Sequence, residues 1–124
     1  MLSVPAFAEL TDDGKVVQDR ITLNCKGEQG ALNFKLNRST SVAVFLNKEA
    51  MARAELPVSE PIAALISDNE IKITYRWYFT AEYMLTFDKV VGALKAGDTV
   101  AMLLDGDDND GFMFNNVRFN CTVK

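Results

Sequence analysis

The densest group of oxygen ligands in the chain is the stretch Asp105-Gly106-Asp107-Asp108-Asn109-Asp110-Gly111. Asp105, Asp107 and Asn109 fall at alternate positions, the spacing at which a loop wraps a hard cation such as calcium, which takes six to eight oxygens round one centre. The rest of the calcium-loop pattern is missing. The sixth position, where the tight turn needs glycine, is Asp110, and the twelfth, where a bidentate glutamate closes the shell, is Asn116. Asx and Gly residues are also the ordinary chemistry of a tip between two strands. The stretch therefore reads as a solvated hairpin tip, with no metal and no cofactor expected. The alternative is a calcium-binding β module, or an enzyme in which Asp105, Asp107 or Asp110 acts as acid or base. The enzyme would need a cleft that desolvates one carboxylate and shifts it.

Other catalytic chemistry is sparse. The chain has no histidine, which removes Ser-His-Asp and Cys-His nucleophile pairs, imidazole zinc sites and the usual acid/base group near neutral pH. No glycine-rich phosphate loop, GxSxG elbow or CxxC pair is present. The reading is a protein that does not catalyse. The formal charge is -4, with 17 acidic and 13 basic residues, and the cations are scattered singly along the chain. A phosphate backbone would be repelled, so nucleic acid is not an expected partner.

Two cysteines remain, and both lie in segments that alternate like strands. Cys25 shares the parity of Ile21 and Leu23, and Cys121 that of Phe119 and Val123, so both thiols should face the core and could bond. A bond of that kind implies an oxidising compartment. The start points the same way. An apolar run, Pro5 and the small residues Ala6 and Ala8 ahead of Glu9 look like the end of a secretory signal. Residues 1–8 are thus read as a signal remnant and residues 9–124 as one β-rich domain of a periplasmic or extracellular protein. No apolar run reaches the length of a membrane-spanning helix.

These residues must be carried by a β scaffold. Val17 to Cys25 alternates as a half-buried strand, Gly27-Glu28-Gln29-Gly30 is a hairpin turn, and Leu32, Phe34 and Leu36 alternate back. A short break precedes the apolar run Val42–Leu46, so the opening third is a meander. Residues 48–69 lose the period and stay unassigned, with Pro57 and Pro61 limiting any helix. Ile71, Ile73, Tyr75, Trp77 and Phe79 make a core strand. Thr86 could cap a helix over about 86–96, with Phe87, Val90, Val91 and Leu94 as its apolar stripe and Gly97 as its left-handed stop. Val100, Met102 and Leu104 alternate again. The last strand changes phase at Asn115-Asn116, the mark of a bulge or a bend between sheets. The expected fold is a small antiparallel β-sandwich or barrel of six to seven strands with one helix.

On the outer face of the aromatic strand, Arg76 and Tyr78, with Tyr83 nearby, form a candidate interaction patch, since Tyr and Arg give large contact area at low entropy cost. Cross-strand pairing would use the same residues. The segment Ala93-Leu94-Lys95-Ala96-Gly97-Asp98-Thr99-Val100, followed by a strand, a polar loop and a final strand, resembles the C-terminal part of invasion-associated locus B proteins. Asp19-Arg20-Ile21-Thr22-Leu23-Asn24-Cys25 is similar to the segment ending in that family's first cysteine. The resemblance implies a β-rich periplasmic protein linked to host-cell invasion, and it carries over no functional residue. Together these features lead to an expected non-catalytic, exported binding protein, such as an inhibitor, immunity-type or envelope accessory factor, whose partner is another protein.

Overall fold

The computed structural model describes residues 9–10, 16–52, 54, 56–76, 80–107 and 113–124. Two short strands, β1 (Glu9–Leu10) and β2 (Val16–Val17), pair with each other. The remaining strands are β3 (Arg20–Gly27), β4 (Gly30–Asn37), β5 (Val42–Asn47), β6 (Pro61–Ser67), β7 (Glu70–Arg76), β8 (Thr80–Phe87), β9 (Thr99–Asp107) and β10 (Met113–Val123). Each pairs antiparallel with the next in sequence, and β10 pairs back on β3, so the eight strands close into an up-and-down barrel. Closure leaves no free sheet edge among them.

The alternating pattern in the sequence is the barrel's inside and outside. Ile21, Leu23 and Cys25 of β3, Leu32, Phe34 and Leu36 of β4, and Phe119, Cys121 and Val123 of β10 are buried, while the residues between them face outward. An eight-stranded barrel is just wide enough for its own side chains to fill, and large ones do so here. Phe34 and Phe45 lie with ring centroids 5.4 Å apart, and Tyr83 and Phe114 at 6.0 Å. Gly106 makes room for the second pair. It sits in register between Tyr83 of β8 and Phe114 of β10, and a Cβ there would stand 2.4 Å from the Glu82 carbonyl oxygen.

The two ends are closed differently. At one, a 3-10 turn at Glu49–Met51 brings Ala50, Met51, Ala54 and Leu56 into the core. At the other, the segment between β8 and β9 holds a 3-10 turn at Val91–Ala93 and buries Val91 and Leu94. Arg38, in the β4–β5 turn, ties that segment down. Its Nη1 donates to the carbonyls of Val91 and Leu94 at 2.8 and 2.7 Å, and its Nη2 donates to the Gln18 carbonyl.

The expected helix over 86–96 is absent. Thr86 and Phe87 finish β8, whose inward set Ala81, Tyr83, Leu85 and Phe87 has a period of two, and Val90 is exposed. Pairing of β8 with β9 decides the matter, because Phe87 is held opposite Met102. The stripe of Phe87, Val91 and Leu94 is real, but it belongs to a strand end and a plug. Gly97 does take a positive φ of 96°, yet it ends a turn instead of a helix, its N–H donating to the Val123 carbonyl at 2.8 Å. The count of six to seven strands also falls short of eight, and of the two architectures expected, sandwich or barrel, the barrel is the one found. The missing strands are β6, in the stretch that stayed unassigned, and β8. Trp77 and Phe79 of the expected aromatic strand lie outside the described residues, as do residues 1–8.

Candidate functional site

The barrel is sealed where its first and last long strands meet. Cys25 and Cys121 stand directly opposite in the β3–β10 register and are bonded, with Cα atoms 4.0 Å apart. Three positions beyond, Thr22 and Lys124 exchange backbone hydrogen bonds of 3.0 and 2.8 Å. Pairs alternate in an antiparallel ladder, so the cysteines occupy the kind of site whose amides turn away and whose side chains approach most closely. The Cys25 N–H accordingly points to the other neighbour, donating to Asn33 Oδ1 of β4 at 3.3 Å. The bond joins the strands expected from parity, and both sulfurs lie in the core, Cys25 being 0% and Cys121 2% exposed.

On the other side of those strands the chemistry is concentrated. A groove of about 840 Å³ runs over the outer face of β10, β3 and β9, lined by Asn24, Lys26, Lys89, Asn120, Thr122 and Lys124 among others. It continues past Arg118 into a second depression of about 640 Å³, walled by the β3–β4 turn at Glu28 and Gln29 and by Asn116. Lys26, Asn120 and Arg118 belong to both parts. Lys26, Lys89, Arg118 and Lys124 are exposed cations, and the carboxylates lining the groove are Glu28 and Asp88. Asp88 is already engaged, its Oδ1 accepting from the Ala101 N–H at 3.0 Å. A chain with more acidic than basic residues thus has a face on which cations prevail.

Sequence reading passed over this groove because its cations are far apart in the chain. The signal was there in the parity opposite the core residues of β10: Asn116, Arg118, Asn120, Thr122 and Lys124 are polar without exception. What the sequence could not reveal was the partner strand. Closure puts Lys26 directly opposite Asn120 and Asn24 opposite Thr122, so residues some 95 positions apart share one surface.

The residues singled out in the sequence do not form a common site. Arg76 ends β7 and is exposed, Tyr78 is outside the described residues, and Tyr83 points into the barrel at 2% exposure. Tyr83 is therefore a core residue, its inward parity set by the register with Gly106. The acidic tip is described only in part, and Asn109 and Asp110 lie outside that part. The Asp105 Oδ1 accepts the Asn116 N–H at 2.9 Å, where one extra residue between Phe114 and Val117 makes the expected bulge and Asn116 takes a φ of 50°. That carboxylate holds the bulge. Among the described residues no group of three or more Cys, Asp or Glu side chains is placed to hold a metal, and no helix is long and apolar enough to cross a membrane. Compared with family models, curated proteins and solved structures, the chain finds no match in any of the three.

Proposed function

We propose that this chain is a non-catalytic binding protein of a periplasmic or extracellular compartment, an inhibitor, immunity-type or envelope accessory factor, and that it recognises another protein through the β10 groove. The observation that carries the reading is the placement of polar chemistry: the barrel interior is filled by apolar side chains, while Lys26, Arg118, Lys124, Asn24, Asn120 and Thr122, whose side chains have no partner among the described residues, gather on one outer face. A filled interior favours a surface binder over a carrier of small molecules. The core disulfide fits an oxidising compartment, where such bonds persist. Rigid strands suit the role, because a closed barrel fixes the backbone of its outward residues in advance and leaves only their side chains to be ordered at binding.

The test is affinity capture from the native organism's envelope fraction on immobilised, disulfide-bonded protein, beside the variant Lys26→Glu/Arg118→Glu at matched melting temperature. A defined protein should be retained by the parent and lost from the variant, as identified by mass spectrometry. Identical retained sets on both would remove the groove from the account.

A further inference from the structure

Building on the reading of the groove as a protein-binding surface, we propose that its occupant is an extended acidic segment of the partner, with carboxylates at alternate residues, lying along β10. Three features point to that chemistry. The first is the state of the cations. Lys26, Arg118 and Lys124 have no ion-pair partner among the described residues, and the outward Asn24, Asn120 and Thr122 side chains make no hydrogen bond there. The groove therefore offers positive charge together with groups that both donate and accept, the set needed for carboxylates and for a peptide backbone.

The second feature is spacing. Outward residues on β10 recur every second position, a step of about 6.6 Å, which is also the same-face step of any extended peptide. Taking Arg118 as the origin, Lys26 lies one step along, beside Asn120, and Lys124 lies three steps along, with the neutral Asn24 and Thr122 between. An extended chain laid parallel to β10 keeps register with these positions, so acidic side chains at alternate residues reach Arg118, Lys26 and Lys124 in turn. A helix, rising about 1.5 Å per residue, does not hold such a register. Recognition must come from side chains, because the closed barrel has no free edge to which a strand could add.

The third feature concerns what lines the groove. No aromatic residue does so, and single-stranded nucleic acid needs such rings as stacking platforms. The chain's formal charge of -4 opposes any polyanion, and it opposes a densely charged phosphate backbone more than a peptide with one carboxylate at every second residue.

The experiment uses the full disulfide-bonded chain and three fluorescent ten-residue peptides at near-physiological salt, followed by anisotropy. One alternates Glu with Ser, one has the same composition with its Glu in a single block, and one carries Gln for Glu. A sulfated polysaccharide serves as competitor. The alternating peptide should bind about fivefold to tenfold more tightly than the block peptide, and the Gln peptide should not bind. Lys26→Ala/Arg118→Ala should weaken the alternating peptide about tenfold, a loss of the size expected for a few exposed charge contacts. Equal affinity for alternating and block peptides, an unchanged Kd in the variant, or displacement by polysaccharide at far lower charge concentration would each overturn the proposal. If the peptides fail while affinity capture still yields a protein that depends on Lys26 and Arg118, the binding role of the groove stands and the acidic register is wrong.

Discussion

Removing the Cys25–Cys121 bond by the double substitution Cys25→Ala/Cys121→Ala tests how the barrel is held shut. The bond spans a sequence separation of 96, and in the chain-entropy model closing a loop of that size destabilises the unfolded chain by about 4 to 5 kcal/mol. Total stability for 124 residues is about 6 to 15 kcal/mol, so the bond would account for a large share. With an unfolding entropy of about 2.1 cal/mol/K per residue, that loss lowers Tm by about 15 to 20 °C. The fold should nevertheless survive, because the seam keeps five register pairs between β3 and β10 and the backbone exchange of Thr22 and Lys124. Alanine is preferred to serine because both sites are buried and a hydroxyl there would be left without a partner. Urea melts followed by circular dichroism should show the lower midpoint with an m-value equal to or above the parent's, since the open chain exposes more surface on unfolding. A drop of only a few degrees would refute the loop-closure reasoning and mean that strand packing alone holds the seam.

Gly106→Ala should destabilise by about 3 kcal/mol in thermal melts, since its Cβ would meet the Glu82 carbonyl at 2.4 Å and its φ is 151°; a neutral result would show that β8 and β9 can part at no cost. Arg38→Ala should cost about 2 to 3 kcal/mol by uncovering the Val91 and Leu94 carbonyls, with Arg38→Lys recovering only part because an ammonium lacks the fork. Millimolar calcium should leave Tm unchanged, given that the Asp105 carboxylate serves the Asn116 amide; a rise of several degrees lost in Asp107→Ala would restore the acidic tip as a metal site. Lys26→Glu/Arg118→Glu should shift Tm by no more than a degree or two, because both side chains are exposed and unpaired within the described residues.

Alternation along the chain determined which residues face the core and which face water. It needs only the two-residue repeat of a strand, so Ile21, Leu23 and Cys25, their partners Leu32, Phe34 and Leu36, and the late set Phe119, Cys121 and Val123 were all legible. The phase slip at Asn115-Asn116 likewise announced the bulge, which Asp105 then completes. Local pattern failed where two periods coincide. Phe87, Val91 and Leu94 satisfy a helical stripe as well as a strand followed by a plug, and only the pairing of Phe87 with Met102 separates the two. Closure, too, was beyond the sequence, because it is a relation between β3 and β10 that no segment carries alone. From closure came the neighbours on which the proposed function rests: Cys25 opposite Cys121 inside, and Lys26 beside Asn120 and Arg118 outside. A strand's own residues fix which side chains point outward, but the register with a distant strand decides which of them share a surface, and that register exists only when the whole barrel has formed.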